Sequence, residues 1–372
     1  MKLAASLFII LLFVECQPKK PLEESLYEND TNWAFPYFEK IDSLNPILTP
    51  APDLKFLEPI TGDTVKWEER NVLNPTAVVK NDKVYLMYRA QDITGTSRIG
   101  MAVSSDGLHF EKRPTPVFYP DNDDMKTYEW NYKKSFDGVE DPRVVESEAG
   151  EYIMTYTAFD GRTARLSIAS SKDLVTWTKH GLVLKDEKHK ETWSKAGAIV
   201  GALQGSSMVA KRINGKYWMY FGDTDIFMAS SDDLIEWQVA EDSESGIMIS
   251  VLHTRRGYFD SRLVEPGPYA IVKDEGILLI YNSSNAENFN EASLPIFTYS
   301  AGQALFDKNL PYKLINRTED SFIRPDKDYE KVGEVNEVCF VEGLVYFKEK
   351  WFLYYGTADS KIAVAIYAGN QK

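Results

Sequence analysis

Short runs in which apolar and polar residues alternate recur from about residue 74 to the end of the chain. Each run is dense in Val, Ile, Tyr, Phe and Trp, ends close to a tyrosine, and is followed by a turn and a second such run. This alternation predicts β-strands, and spacing typical of amphipathic helices is hardly visible. Five first runs align on tyrosines that lie 61 to 74 residues apart, namely Tyr88, Tyr156, Tyr220, Tyr281 and Tyr355.

The second runs strengthen the repeat. Three of them, at 98–110, 165–177 and 226–237, contain a Ser/Asp turn signal and then an aromatic residue that would return to the core. Repeats at near-constant spacing indicate four-stranded sheets stacked around an axis. We therefore predict an all-β chain in which residues 32–372 form a single five-bladed β-propeller catalytic domain, with 32–73 supplying leading loops and room for a closing strand. The alternative is a pair of β-sandwiches.

The composition of the chain excludes some classes of binding partner. The chain has 372 residues, 42 Lys and Arg against 56 Asp and Glu, and a net charge of −14. Nucleic acid and anionic membrane surfaces would repel such a protein, so neither is expected as a partner. Aromatic residues make up 13 % of the chain and could stack on a neutral sugar. An ordinary acidic soluble enzyme would have the same composition.

The first residues predict export. Residues 1–15 begin with one lysine and an apolar run too short to span a bilayer, as in a signal peptide. Cys16 follows directly and resembles the lipidated cysteine of a bacterial lipoprotein, with 16–31 as a polar tether. A periplasmic or outer-membrane lipoprotein is the expectation, and a simple secretory signal or a short buried strand is the alternative. Cys339 lies in an apolar stretch and is interpreted as a buried small hydrophobe.

Polar residues interrupt otherwise apolar strands about once per predicted blade. In a propeller the innermost strands point side chains into a central funnel, and charge there is costly unless it is paired or solvated. A shared ligand site explains this placement, and a ring of strand caps and inter-blade salt bridges is the alternative. The five segments centre on Asn74, Asp141, Gly197, Glu265 and Asn336.

Other chemistries have little support in the sequence. Dinucleotide, phosphate-loop and zinc-protease motifs do not occur, and the four histidines lie in turn or loop contexts. Neither a metal nor another cofactor is therefore predicted. Carboxylates remain abundant, and a pair of them in an aromatic-rich cleft is the usual machinery of glycoside cleavage.

Several motifs together resemble glycoside hydrolase family 130, whose members are five-bladed propellers that cleave β-mannosides by hydrolysis or phosphorolysis. The most specific are Glu140-Asp141-Pro142-Arg143 and Tyr354-Tyr355-Gly356-Thr357-Ala358-Asp359. The resemblance implies that Asp141 is the general acid and protonates the glycosidic oxygen through a mannose hydroxyl. It also implies a mannose-binding set made of Asn74, Arg89, Asp92, Ser97, Arg98, Arg143, Lys195 and Asp359.

Two carboxylates favour hydrolysis over phosphorolysis. Where phosphorylases of the family have a cation after the third-blade tyrosine, this chain has Asp223, and Glu265 lies in the fourth inner strand. Anions repel phosphate, whereas a carboxylate can deprotonate a water. Glu265 is the first candidate for the base and Asp223 the second, with inversion at the anomeric carbon. A phosphate pocket remains an alternative because three arginines could form one, namely Arg162, Arg165 and Arg212.

The sequence thus predicts an exported, lipid-anchored inverting β-mannosidase, with β-1,2-linked oligosaccharides as the expected substrate. A mannoside phosphorylase, a non-catalytic glycan-binding lipoprotein and a related arabinan or xylan hydrolase remain the alternatives. Loops 120–138 and 284–296 are expected to shape the aglycone side, with Trp130 and Tyr132 as stacking candidates.

Overall fold

The protein is built almost entirely of β-strands in the part of the chain that its computed structural model describes, residues 32–131 and 136–369. Two single-turn helices, α1 (Lys126–Glu129) and α2 (Asp328–Lys331), lie between strands. No helix in these two ranges is long and apolar enough to cross a membrane. The predicted signal peptide, Cys16, the tether and Tyr132 lie outside the described residues.

Five antiparallel sheets follow a short leading segment. That segment holds β1 (Glu39–Lys40), β2 (Phe56–Leu57) and β3 (Thr64–Val65). Blade 1 consists of β4 (Asn71–Lys80), β5 (Lys83–Gln91), β6 (Ser97–Ser104) and β7 (Glu111–Lys112). Blade 2 consists of β8 (Gly138–Glu146), β9 (Tyr152–Phe159), β10 (Ala164–Ser171) and β11 (Thr178–Leu182).

The remaining blades repeat this order with local additions. Blade 3 consists of β12 (Ala198–Gln204), β13 (Ser207–Ala210), β14 (Tyr217–Phe221), β15 (Ile226–Ser231), β16 (Trp237–Val239) and β17 (Ser250–Leu252). Blade 4 consists of β18 (Leu263–Pro266), β19 (Ala270–Val272), β20 (Ile277–Ser284), β21 (Tyr299–Phe306) and β22 (Leu314–Arg317). Blade 5 consists of β23 (Cys339–Phe347), β24 (Lys350–Thr357) and β25 (Lys361–Tyr367).

The ring is closed by the beginning of the chain. Strand β1 pairs antiparallel with β25, with Lys40 opposite Ala365, and becomes the fourth strand of blade 5. Neighbouring blades also meet along their inner strands, as where β12 runs parallel to β19 with Val200 opposite Ala270. The five-bladed propeller and its closing strand are therefore confirmed, and the alternative of two sandwiches was wrong.

The Ser/Asp turns have a common geometry. In blade 2 the Ser171 hydroxyl accepts the Leu174 N–H at 2.9 Å, and Asp173 accepts the Val175 N–H at 2.8 Å. Equivalent bonds occur at 104–109 and 231–236. Side-chain acceptors replace the ladder bonds that the chain gives up as it reverses, which explains the recurrence of this signal.

The aligned tyrosines mark a recurring buried cluster that we call the blade triad. In four blades the tyrosine of the second strand donates to a buried carboxylate, which also pairs with a cation from the outermost strand. The carboxylate comes from the segment before the blade's innermost strand, so the triad joins three parts of the chain. The triads are Tyr88–Glu68–Lys112, Tyr156–Glu129–Lys179, Tyr281–Asp260–Arg317 and Tyr355–Glu330–Lys40.

Blade 3 departs from this pattern. The Tyr220 hydroxyl donates instead to the Pro311 carbonyl at 2.7 Å, and its ring packs 4.7 Å from that of Phe306. Elsewhere a glycine makes room for the tyrosine. A Cβ on Gly100 would lie 2.6 Å from the Tyr88 ring, which explains why the motif has glycine there.

Candidate active site

Two β-bulges aim the polar residues of blades 1 and 2 into the funnel. The β4–β5 register shifts around Asn74, and the β8–β9 register shifts around Asp141. Both residues adopt left-handed backbone angles, with φ of 47° and 50°, which Asn and Asp tolerate better than most residues. A proline follows each and donates nothing to the strand ladder. A bulge redirects a side chain, and here it turns both towards the same centre.

Asp141 is the most heavily contacted carboxylate of the funnel. Asn74 Nδ2 donates to its Oδ1 at 2.8 Å, and Arg89 Nη1 lies 3.3 Å from the same oxygen. Lys195 Nζ lies 3.5 Å from Oδ2. These partners come from blades 1 and 3, so three blades converge on one carboxyl group.

The cations around Asp141 decide its charge. Burial alone would raise the pKa of Asp141, but Arg89, Lys195 and Arg143 outweigh burial and hold the pKa well below its usual range. Asp141 is therefore ionised in the free protein at neutral pH.

Arg143 joins blades 2, 4 and 5 at the floor of the funnel. Its Nε donates to the Gly267 carbonyl at 2.6 Å, and Nη2 donates to Pro266 O at 2.8 Å and to Glu342 at 2.7 Å. Most of its donors are used by the protein itself. Arg143 was predicted to bind substrate, yet its contacts are those of a scaffold beneath the site.

Glu265 faces Arg143 from blade 4 without a close bond to it. Arg143 Nη2 lies 4.0 Å from Glu265 Oε1, and this buried oxygen has no hydrogen-bond partner among the described residues. Burial raises the pKa of Glu265 to about 8, against the opposing influence of Lys195 and Arg143. Glu265 is thus largely protonated at neutral pH. A buried oxygen without a partner marks a place where a ligand atom fits.

Asp359 completes the ring from blade 5. Its backbone is also left-handed, with φ of 48°. Burial raises its pKa to about 6, although Arg89 and Lys195 act in the opposite direction. The funnel therefore gathers more carboxylates than cations, and several of those carboxylates are hard to ionise.

The charges of the funnel can be stated as one inventory. The cations are Arg89, Arg143 and Lys195, and each is paired with a carboxylate within 3.5 Å. The carboxylates are Glu140, Asp141, Glu265, Glu342 and Asp359. Charged groups of both signs can each hold a sugar hydroxyl by a charge-assisted hydrogen bond.

Comparisons with known proteins identify the family to which this fold belongs. A family model described as beta-1,4-mannooligosaccharide phosphorylase, that of glycoside hydrolase family 130, matches residues 47–370. The chain belongs to glycoside hydrolase family 130. A 1,2-beta-oligomannan phosphorylase from Thermoanaerobacter sp. (strain X514) is 31 % identical to it over 81 % of this chain and 91 % of the relative.

Solved structures of this family superpose on most of the chain. A glycosyl hydrolase from Bacteroides ovatus is 42 % identical with a TM-score of 0.85, over 90 % of this chain and 94 % of its own. A second structure comes from work stating that the family "contains glycoside hydrolases that target beta-1,2 mannosidic linkages in Candida mannan". It is 42 % identical with a TM-score of 0.87, over 91 % of this chain and 95 % of its own. The family acts on mannosides, and its members include phosphorylases and hydrolases.

Three residues predicted from the family-130 resemblance lie behind the funnel wall. Arg98 has no exposed side-chain surface and pairs with Glu58 and, at 2.9 Å, with Asp92. Asp92 also accepts the Thr94 N–H at 2.9 Å. Asp92 and Arg98 are thus buried and engaged with other protein groups, and their predicted contact with a sugar stays a prediction. They are hidden because the leading segment folds over blade 1, which strand periodicity does not predict.

Ser97 is buried as well, but it supports the site. Its hydroxyl accepts Arg89 Nε at 3.0 Å and lies 3.2 Å from Glu140. Ser97 therefore orients the guanidinium that contacts Asp141, and its predicted direct contact with a sugar stays a prediction.

The three arginines that could have formed a phosphate pocket do not contact the carboxylates of the funnel in the described residues. Arg165 pairs with Asp160 at 2.8 Å and with Glu191, and Arg212 donates to Gly215 O at 2.8 Å and packs over an aromatic ring of blade 3. Arg162 is exposed.

Asp223 lies at the entrance of the funnel, where its Oδ2 accepts Trp193 Nε1 at 2.5 Å. It is one of the charges that raise the pKa of Glu265, so the two acids lie close enough to interact. The sequence identified Asp223 as a candidate base, but it gave no indication that Asp223 accepts a hydrogen bond from the Trp193 indole.

The fifth blade contributes a different residue from the one expected. Asn336 is exposed, and its Oδ1 accepts the Gly333 N–H at 3.3 Å. Glu342 reaches the floor instead, at a register shift between Val341 and Gly343. It is a single acid inside an apolar strand, which is the same signal that identified Glu265 and was overlooked here.

Proposed function

We propose that this protein is an inverting β-mannoside hydrolase that acts on β-1,2-linked oligosaccharides. The charge inventory of the funnel is the observation that carries the proposal. Arg89, Arg143 and Lys195 each already have a carboxylate partner, and Asp223 adds negative charge on the open side, beside the largely neutral carboxyl group of Glu265. A phosphate dianion would meet repulsion there, whereas a neutral water would not.

In this mechanism Asp141 protonates the leaving oxygen through a mannose hydroxyl, and Glu265 activates the attacking water. The free protein holds the proton of this pair the other way round, since Asp141 is ionised and Glu265 is largely neutral. The assignment therefore requires that the bound sugar shifts the proton from Glu265 to Asp141. The pair carries one proton in either arrangement.

Similarity gives independent support. The chain is 42 % identical to a structure from the work on family members that hydrolyse β-1,2 mannosidic linkages, and 31 % identical to the 1,2-beta-oligomannan phosphorylase. Both relatives concern β-1,2-linked mannose, which is why this linkage is proposed.

Product analysis tests the reaction. Purified protein is incubated with β-1,2-, β-1,3- and β-1,4-mannobiose, with and without inorganic phosphate. We expect free α-mannose as the first product from the β-1,2 substrate, at a rate that phosphate does not raise. Mannose 1-phosphate formed only with phosphate would overturn the proposal.

A substrate that needs no acid separates the two roles. β-Mannosyl fluoride has a leaving group that departs without protonation, so Asp141→Asn should keep most of its activity on the fluoride and lose it on mannobiose. Glu265→Gln should lose activity on both substrates. If Glu265→Gln instead keeps its activity on the fluoride and Asp141→Asn loses it, Glu265 is the acid and Asp141 is the base.

A phosphorylase is the second candidate because Arg262 stands at the entrance without a carboxylate partner in the described contacts. Its guanidinium lies 5.0 Å from the Phe297 ring, and Nη1 donates to the Ser284 hydroxyl at 3.3 Å. If phosphate is the second substrate, Arg262→Gln should weaken its use and leave mannobiose binding intact.

The proposal includes export and lipid attachment through Cys16, which rests on residues 1–16 of the sequence alone. Metabolic labelling of cells with a fatty-acid analogue should label the full chain and not Cys16→Ala. Equal labelling of both, or of neither, would contradict the anchor.

A further inference from the structure

One large aromatic residue stands exposed beside the reacting groups. Trp193 is 49 % exposed and lies on the connection between blades 2 and 3. Its neighbour two residues on, Lys195, reaches Asp141 at 3.5 Å. An indole so close to the centre of the funnel calls for an explanation, because an exposed tryptophan gains little from folding.

The protein holds this indole in one orientation. Its N–H donates to Asp223 Oδ2 at 2.5 Å, a charge-assisted bond, and its ring makes an edge contact with Phe159 at 6.1 Å between centroids. The backbone is fixed on both sides of Lys195. Ser194 N donates to Ala164 O at 3.0 Å, and Gly222 N donates to Lys195 O at 2.9 Å.

Asp223 connects the indole to the fourth blade. It interacts with Glu265, and the next residue, Thr224, accepts the Val264 N–H at 3.2 Å through its carbonyl oxygen. Trp193 therefore lies at the edge of the funnel on the side of both Asp141 and Glu265. A sugar that extends from the mannose out to solvent on this side would pass over the ring.

We propose that Trp193 is a stacking platform for the sugar that leaves, and that Asp223 is a positioning residue that fixes its indole. This inference rests on the proposed mannoside chemistry and adds the subsite for the departing sugar. The apolar C–H face of a sugar packs on an aromatic ring, and a ring held in advance loses little freedom when the ligand binds.

Binding to an inactive protein tests the platform without requiring any reaction. In an Asp141→Asn background, calorimetry compares β-1,2-mannobiose with mannose. Adding Trp193→Ala should weaken mannobiose about tenfold and leave mannose unchanged, while Trp193→Phe keeps most of the affinity. Equal losses for both sugars, or no loss for mannobiose, would overturn the platform. This binding measurement does not depend on hydrolysis, so it can support the stacking platform even if the protein proves not to hydrolyse mannobiose.

The second arm tests the role of Asp223 in turnover. Asp223→Asn keeps an oxygen that accepts the indole N–H, and Asp223→Ala removes it. We expect the alanine variant to raise KM for mannobiose about tenfold and the asparagine variant to restore most of it. Both variants remove the same charge from beside Glu265, so they should change kcat/KM on β-mannosyl fluoride to the same extent. If both variants lose kcat equally on both substrates, Asp223 is a base and the positioning role is wrong.

Discussion

Buried charge occurs in two layers of this propeller, and the layers are built differently. In the blade triads each carboxylate accepts a tyrosine hydroxyl at 2.8 to 2.9 Å and pairs with a cation. In the funnel, Asn74 Oδ1, Glu265 Oε1 and Glu342 Oε2 are buried without a hydrogen-bond partner among the described residues. No triad oxygen is in that state, and the triad nitrogen that is, Arg317 Nη2, still lies 2.6 Å from the Asp260 carboxylate.

The difference separates structural charge from functional charge. A satisfied network rigidifies the fold, and its members come from three separate parts of each blade. An unsatisfied buried oxygen costs free energy, and a site that binds sugar hydroxyls recovers that cost when the ligand arrives. Burial alone would not have told the two layers apart, because Glu330 and Glu342 are equally buried.

The largest expected effect on activity comes from the funnel. Asp141→Asn keeps the shape of the side chain and removes the proton-transfer group, so turnover of mannobiose should fall about 10² to 10⁴-fold. The free energy of unfolding should fall by about 1 to 3 kcal/mol, because Asn74 and Arg89 can still contact the amide oxygen but Lys195 loses its carboxylate partner. Kinetics and urea unfolding measure the two quantities on one preparation. Unchanged turnover would remove Asp141 from the mechanism.

The largest expected effect on stability comes from a triad. Glu330→Ala leaves the Tyr355 hydroxyl without its acceptor and Lys40 without its buried partner, so that Lys40, on the closing strand, keeps only the half-exposed Asp326 as a carboxylate partner in the described contacts. Removing one partner of a buried pair costs about 3 to 5 kcal/mol. We expect that loss in urea unfolding, with kcat nearly normal for the folded fraction at low temperature. A loss below about 1 kcal/mol would show that closure does not depend on this triad.

The dependence of kcat/KM on pH should reflect the carboxylates of the funnel and not those of the blade triads. The acid–base pair keeps one proton between the low pKa of Asp141 and the pKa of about 8 at Glu265. Above pH 8 that last proton is lost, so kcat/KM should fall about tenfold per pH unit, with no loss down to weakly acidic pH. Asp223→Asn removes one of the charges that raise the Glu265 pKa and should move this limb to lower pH. If the fall of kcat/KM occurs at the same pH in Asp223→Asn, the charge of Asp223 does not influence the pKa of Glu265.

The sequence predicted the repeats better than it predicted their partners. The five tyrosines follow from strand periodicity, yet the carboxylate partners of four of them lie 20 to 27 residues upstream, in loops or single-turn helices outside the strands. The bulged residues Asn74 and Asp141 were found because a polar residue before proline interrupts an apolar strand. The burial of Arg98 was not predicted because it depends on Glu58, forty residues away in the leading segment.

The smallest effect compares a triad tyrosine with its counterpart in blade 3. Tyr88→Phe removes a donor to a buried carboxylate, a bond worth about 1.5 to 3 kcal/mol, whereas Tyr220→Phe removes a donor to the Pro311 carbonyl, worth about 0.5 to 1.5 kcal/mol. The two substitutions delete the same atom from equally buried rings, so packing losses cancel in the comparison. Urea midpoints at an unchanged slope give both values. If Tyr220→Phe costs as much as Tyr88→Phe, the carboxylate adds nothing to the triad, and blade 3 is stabilised as well as its neighbours by a neutral bond.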